Sequence, residues 1–206
     1  FYFKPVDLEA VPSFKGGQYL GVRVRPDGSE HYQVRQYSLS KLGELRISVK
    51  AEHDGVVSNY LHSLQAGDAV QLQAPTGVFT LANPRKKNIF VAGGVGITPM
   101  MSMLEESLEN RAGASDNLFI QCSRDTQHQI FKKHITQLSE QNAMVYKHCI
   151  ENSNDGDHEG YLDIDILRDW LGHDNFTPDN SQVYFCGPKP FMAVLNQFFL
   201  RIGFDP

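Results

Sequence analysis

Three chemistries stand within four residues at Arg35-Gln36-Tyr37-Ser38, near the end of a strand-like run at residues 31–40. Arg35 carries a permanent positive charge on a planar fork of N–H donors, a match for a pyrophosphate. Tyr37 offers a flat aromatic face for a large heterocycle. Ser38 adds one small hydroxyl able to donate or accept at a ring edge. Together these meet the needs of a flavin dinucleotide: charge against its phosphates, a surface under its ring, and a donor at the ring's reactive edge. Arg, Tyr and Ser at a strand end are commonplace, so the tetrapeptide takes its meaning from the rest of the chain.

Two other stretches carry phosphate-binding chemistry. Asp54-Gly55-Val56-Val57-Ser58 opens a short helical stripe (Val57, Tyr60, Leu61, Leu64), and amides at a helix start form an anion site reinforced by the helix dipole. Gly55, Val57 and Ser58 are the candidate contacts there; taken alone, the segment reads as a plain crossover helix with Ser58 in solvent. The other stretch is Gly93-Gly94-Val95-Gly96-Ile97-Thr98-Pro99, between an apolar run at 88–92 and an amphipathic helix bearing Met100, Met101, Met103, Leu104 and Leu108. Thr98 is expected as the N-cap and Pro99 as the first helical residue. Strand, glycine turn and helix start make a pyrophosphate cradle of the doubly wound type. Pro99 stands where the dehydrogenase fingerprint has its third glycine, so that fingerprint is absent, and the methionine stripe reads as core.

The elements around these sites divide the chain in two. Up to residue 84, strands expected at 1–7, 18–24, 33–39, 45–50, 68–74 and 78–81 alternate with turns such as Pro26-Asp27-Gly28 and Pro75-Thr76-Gly77, the pattern of an antiparallel barrel or sandwich. The polar stretch at 83–87 places a boundary between domains 1–84 and 85–206. Beyond it strands at 88–92, 118–122, 144–148 and 182–185 alternate with helices at 131–140 and 164–171 and a final helix opened by Pro188 and Pro190, an α/β doubly wound arrangement. Residues 151–159 read as a solvated acidic loop. Ligands of such sheets sit beyond the carboxyl ends of the strands, which brings Gly94–Thr98, Ser123-Arg124 and Cys186-Gly187-Pro188 to one crevice.

Composition narrows the classes. The 206 residues, 41% hydrophobic and 21% charged, suit a globular protein, and a net charge of −5 argues against nucleic-acid binding. Cys122, Cys149 and Cys186 are odd in number and widely spaced, which favours a reducing compartment and shows no metal-type clustering. Cys122 and Cys149 read as core residues, while Cys186 precedes Gly-Pro at a strand end. No histidine pair has a metal-ligand context, and no metal site is expected. No run approaches the length of a membrane helix. The chain starts at Phe1 without a methionine and reads as a piece of something longer.

In order, Gly17-Gln18-Tyr19, Arg35-Gln36-Tyr37-Ser38, Gly55-Val56-Val57-Ser58-Asn59, Gly94–Pro99 and Cys186-Gly187-Pro188 resemble the ferredoxin–NADP reductase superfamily, and within it the reductase module of flavohaemoglobins. The closer cues are Val57-Ser58-Asn59-Tyr60-Leu61-His62, Gly67-Asp68 with Ala74-Pro75, and Lys189-Pro190-Phe191-Met192. The resemblance implies an FAD-binding β-barrel followed by a Rossmann-like NAD(P)-binding domain. It implies that Tyr19 contacts FAD, with Arg35 on its pyrophosphate, Tyr37 on the isoalloxazine face and Ser38 near the reactive nitrogen; Gln36 counts with this motif. Gly55, Val57 and Ser58 would hold the diphosphate; Gly94, Val95, Gly96, Ile97, Thr98 and Pro99 would hold the nicotinamide coenzyme, NADH or NADPH. Thr98 and Cys186, with Gly187 and Pro188, would lie near the nicotinamide, so Tyr37, Ser38, Thr98 and Cys186 form the expected reaction centre.

The implied activity is NAD(P)H-dependent flavin reduction, with electrons passing to the haem of a covalently linked globin domain before Phe1 for nitric oxide dioxygenation in the cytoplasm. A C-terminal tail bearing an aromatic over the flavin would follow Pro206. A standalone NAD(P)H–flavin or iron–sulfur reductase and a non-catalytic flavin or dinucleotide sensor are the alternatives. Arg124 could meet a 2′-phosphate or stack on adenine; the acidic Asp125 beside it tilts the reading towards NADH.

Overall fold

The computed structural model describes residues 1–7, 10–26, 30–83, 85–110, 116–141 and 143–205. Asp27 and Gly28 of the expected turn, and Pro84 at the expected domain boundary, lie outside the described residues.

In the N-terminal half, β1 (Tyr19–Val24) pairs antiparallel with β2 (Gln33–Ser38) on one side and β3 (Gln71–Leu72) on the other. Leu20, Val22 and Val24 of β1 are buried with Leu39, Leu45 and Ile47 and with Val57 and Leu61 of α1 (Val56–Ser63). Val57 and Leu61 lie one helical turn apart, which is why this short helix can lie flat on the sheet. The strands expected at 1–7, 45–50 and 78–81 are not formed as strands, and the one expected at 68–74 contracts to β3. The first two pair around a bridge at Tyr2–Arg46, flanked by hydrogen bonds between Phe1 and Ile47 and from Phe3 N–H to Leu45 O, Leu39 bridges Ile47, and Tyr19 bridges Thr76. Alternation alone does not make a strand; a buried face must reward it, and Val78 is 98% exposed. Among the described residues the pairing is therefore a three-stranded antiparallel sheet extended by bridges.

The C-terminal half is a five-stranded parallel sheet in the order β7-β6-β5-β4-β8. Its strands are β4 (Lys87–Gly93), β5 (Asn117–Ser123), β6 (Val145–Ile150), β7 (His158–Glu159) and β8 (Ser181–Cys186). Its helices are α2 (Ile97–Asn110), α3 (Lys132–Glu140), α4 (Ile164–His173) and α5 (Lys189–Ile202). The apolar run of β4 from Ile89 to Ala92 follows from burial on both faces. Ile89 and Val91 point to one core with Leu118, Ile120, Leu167, Trp170, Leu195 and Phe199, under α4 and α5. Phe90 and Ala92 point to the other with Phe119, Ile135 and the Met100, Met101 and Met103 stripe, under α2 and α3. The methionines are core, as read from the sequence.

Two expectations change here. The 151–159 segment is not wholly a solvated loop: β7 extends the sheet edge, and Asp157 Oδ2 accepts the His148 N–H at 2.9 Å while its side chain also faces the His148 ring. Thr98 is not an N-cap. A 3-10 turn at Gly94–Gly96 runs directly into α2, so the helix starts at Ile97, two residues before the expected Pro99, and the Thr98 hydroxyl donates back to Val95 O at 3.2 Å.

Candidate functional site

The register of β1 and β2 sets the flavin-side residues. Arg35 stands opposite Val22, Tyr37 opposite Leu20 and Ser38 opposite Tyr19, so Arg35 and Tyr37 share one face of β2 while Ser38 and Tyr19 share the other. Arg35 and Gln36 are exposed; Tyr19, Tyr37 and Ser38 are half-buried. Arg35 Nη1 donates to Val34 O at 2.9 Å, which lays the guanidinium along the strand. Burial raises the Tyr37 phenol above its ordinary value, against a smaller opposing pull from Arg35, so the ring presents a neutral face.

Gly55 is the N-cap of α1 and makes no side-chain cap bond. The first intrahelical bond runs from Asn59 N–H to Gly55 O, which leaves the amides before it directed out of the helix start. Val57 is buried in the core, so only its backbone can meet a ligand. Ser58 is not solvated: it is buried, and Oγ donates to Gly55 O at 3.0 Å and accepts from Glu52 N–H at 3.3 Å.

The dinucleotide-side residues lie where the topology turns. From β4 the chain moves outward through β5, β6 and β7, then returns through α4 to place β8 on the opposite side of β4. The crevice of a doubly wound sheet forms at such a switch, beyond the carboxyl ends of the two strands. Gly93 closes β4 and Cys186 closes β8. The loops that follow touch: a side-chain carbon added at Gly96 would stand 2.2 Å from Cys186 O, so only glycine permits this approach. Phe191, at the start of α5, packs beneath both loops, 2.9 Å from such a carbon at Gly93 and 2.6 Å at Gly187.

Gly94 and Val95 are exposed, while Ile97, Thr98 and Pro99 are buried. Ile97 belongs to the α2 core, so it contributes backbone only. Cys186 is half-buried; burial pushes its thiol up, against a smaller pull from the Gly187 N–H. Pro188 is exposed as the N-cap of α5.

At the end of β5, Arg124 is exposed and its Nε faces Asp125 Oδ2 at 3.4 Å. Asp125 also caps the turn at Thr126–His128, accepting from the Gln127 and His128 N–H groups, and its Oδ1 stands 2.6 Å from His128 Nδ1. The His128 ring, then its amide and Arg124, hold this carboxyl below the usual range.

Sequence reasoning missed the residues that join the two halves. Ser102 Oγ donates to Leu39 O at 2.7 Å, one residue after Ser38. Tyr184 OH accepts from Ala82 N–H at 2.7 Å, and its ring meets Phe79 edge-on. The only sequence signal was polar residues interrupting the methionine stripe of α2.

Both cofactor cradles fit their groups. Gly94 has φ +55°, and a side-chain carbon there would find nothing within 4 Å, so the turn opens onto free space with bare backbone. On the flavin side the donor set suits a diphosphate and ring: an exposed guanidinium, the α1 amides and the Tyr37 face. Among the described residues no group of three or more His, Cys, Asp or Glu stands together as a metal site would require.

A family model described as an oxidoreductase NAD-binding domain matches residues 90–197, and one described as an oxidoreductase FAD-binding domain matches residues 5–81. The flavohemoprotein of Halalkalibacterium halodurans is 39% identical over 216 residues, covering 96% of this chain and 51% of that protein. The flavohemoprotein of Pseudomonas putida is 39% identical over 211 residues, covering 98% and 52%. The crystal structure of the flavohem-like FAD/NAD-binding domain of nitric oxide dioxygenase from Vibrio cholerae superposes with a TM-score of 0.86 at 31% identity, over 98% of this chain and 85% of that one. The chain belongs to the FAD/NAD-binding reductase modules of the flavohaemoprotein family. It is an NAD(P)H-dependent flavin oxidoreductase module, with an FAD-binding half followed by a Rossmann-like NAD-binding half. The chain spans about half the length of the curated relatives it matches.

Proposed function

We propose that this module takes hydride from NADH onto FAD and delivers electrons to the haem of a globin domain joined ahead of Phe1, for nitric oxide dioxygenation in the cytoplasm. The observation that carries this reading is the tie between the two cradles: α2 starts at the Gly94–Gly96 turn and is hydrogen-bonded to Leu39, next to Tyr37-Ser38. Tyr37 would hold a flavin and Gly94 a dinucleotide on the two sides of this tie. The length of the flavohemoprotein relatives, about twice that of this chain, supports a fused globin. Three free cysteines support a reducing compartment. Among the described residues no helix is long and apolar enough to cross a membrane.

In this reading residues 1–84 close as a β-barrel around the flavin and 85–206 bind the dinucleotide. Bound FAD supplies the chemistry that accepts a hydride and releases electrons singly. The protein binds and orients. Arg35 and the helix start at Gly55, through the amides from Val56 to Ser58, hold the flavin diphosphate, with Gln36 and Tyr19 alongside, Tyr37 supports the ring, and Ser38 hydrogen-bonds its reactive edge. Gly94, Val95, Gly96 and the Ile97–Pro99 backbone hold the coenzyme pyrophosphate, while Thr98, Cys186, Gly187 and Pro188 border the nicotinamide. Asp125 pairs with Arg124 and reduces the positive field available to a 2′-phosphate, which favours NADH.

Anaerobic visible spectroscopy of the FAD-loaded chain tests this. NADH is expected to bleach the flavin band rapidly, and NADPH more slowly. Bound flavin that neither coenzyme bleaches, beyond the rate of free FAD, overturns the reductase reading.

A further inference from the structure

Helix α2 begins at the dinucleotide cradle and runs along the boundary with the flavin half. On it, Ser102, Glu105 and Glu106 stand at the i, i+3, i+4 spacing that puts three side chains on one helix face. Each accepts a backbone N–H from the other half: Ser102 Oγ from Gly17 at 3.0 Å, Glu105 Oε2 from Leu42 at 2.7 Å, and Glu106 Oε2 from Gly16 at 2.6 Å. Ser102 also donates, its proton directed to Leu39 O at 2.7 Å and Pro99 O at 3.1 Å. It is fully buried, and a side-chain carbon at Gly16 would stand 2.5 Å from Ser102 O, so loop and helix backbones touch directly.

The anchored positions matter. Leu39 immediately follows Tyr37-Ser38, Gly17 lies two residues before Tyr19, and Ser102 lies one helical turn after Thr98. One hydroxyl thus joins both flavin-bearing strands to the helix whose first turn faces the coenzyme. We propose that Ser102 is a positioning residue that sets the separation of the flavin and nicotinamide sites, with Glu105 and Glu106 holding the same helix face against rotation. The proposal rests on the reductase reading. Hydride transfer needs reacting atoms about 3–3.5 Å apart, and a displacement of about 1 Å can cost a hundredfold in rate. Each cradle is organised within its own half; their separation is set across this boundary. Removing the hydroxyl leaves the Gly17 N–H and Leu39 O unpaired in a dry interface, which favours a shift of one half against the other.

The test compares Ser102→Ala with Ser107→Ala in the FAD-loaded full chain. Ser107 lies on the same helix and is also buried, but its hydroxyl bonds only within the dinucleotide half, donating to Asn117 Oδ1 at 2.8 Å and accepting from Asn88 Nδ2 at 2.9 Å. Anaerobic rapid mixing with NADH, unlabelled and deuterated at the transferred hydrogen, reads the limiting rate of flavin bleaching and its isotope effect.

Ser102→Ala is expected to lower that rate about tenfold or more, with the isotope effect retained or increased. Its Kd values for FAD and NADH are expected to change no more than those of Ser107→Ala. A merely structural role predicts similar losses of thermal stability in both variants and matching bleaching rates. That match, or an unimpaired Ser102→Ala, overturns the proposal. If Ser102→Ala does not fold, Glu106→Ala tests the same face from its more accessible end: a slower limiting rate at unchanged Kd supports the proposal, and an unchanged rate overturns it. A wild-type chain that NADH cannot bleach overturns the reductase reading and this proposal with it; a wild type that bleaches beside an equally fast Ser102→Ala overturns the proposal alone.

Discussion

Two helix starts in this chain are led by glycine, and they use it differently. At Gly55 the backbone is extended, with φ −83°, and a side-chain carbon there would stand 2.2 Å from Ser58 Oγ. The glycine makes room for a hydroxyl folded back over the helix start. At Gly94 the backbone is left-handed, with φ +55°, and the same carbon would meet nothing within 4 Å. Here conformation requires the glycine, and the space above is open. Gly96, two residues on, has the opposite problem of crowding by Cys186 O. The flavin-side cradle is thus a short helix seated on a small sheet. The dinucleotide-side cradle is locked between the ends of two parallel strands, the buried β4 and the partly buried β8, and the same mutation should have different consequences in each.

The largest effect is expected from Gly96→Ala, which forces the loop after β8 to move. It should cost about 3 kcal/mol by overpacking, measured by denaturant unfolding, and abolish NADH-dependent bleaching. Gly94→Ala should cost only about 1–2 kcal/mol from its left-handed backbone, with NADH affinity falling more than stability does. If the two variants unfold alike, the distinction between crowding and conformation is wrong.

Arg35→Ala probes the other cradle. FAD binding should weaken about tenfold or more through loss of a charged hydrogen bond, while NADH binding to the flavin-loaded protein changes little. Equal loss of both, by titration, would break the separation of the two sites.

A smaller effect is expected from Asp125→Ser, which frees Arg124 from its carboxylate partner. The ratio of kcat/KM for NADPH over NADH should rise about three- to tenfold, the range for an exposed charge contact. No rise would remove Arg124 from coenzyme discrimination.

The smallest concerns Cys186. Burial raises its pKa, so at a pH below the ordinary thiol value it should alkylate more slowly than a free cysteine peptide, and more slowly still with coenzyme bound. The sign for stability follows: the contribution is fully present below the unfolded thiol's pKa and is lost as pH rises through the folded one. Alkylation as fast as the peptide would mean that the β8 end is open to water.

The dinucleotide half was legible because its elements announce themselves locally. The run at 89–92 is apolar at every position since β4 is buried on both faces, and Met100, Met101, Met103 and Leu104 carry a helical period. The flavin half was less legible. Residues 1–7 and 45–50 alternate as strands should, yet they meet through isolated bridges, because pairing depends on a partner and a buried face that lie elsewhere in the chain. Thr98 followed the rule for a cap, but the 3-10 turn ahead of it moved the helix start, a choice made by the packing of Gly96 on Cys186.

By itself the sequence determined which residue types could serve a flavin and a dinucleotide, in what order, and the alternating plan of the second half, since charge, aromaticity and hydrophobic period are properties of short segments. Only the tertiary structure decided that Ser58 is folded inward, that Ile97 and Val57 offer backbone alone, and that Ser102, Glu105 and Glu106 hold the halves together. The last of these rests on contacts between residues as many as ninety positions apart, as with Gly16 and Glu106, and no local pattern encodes it.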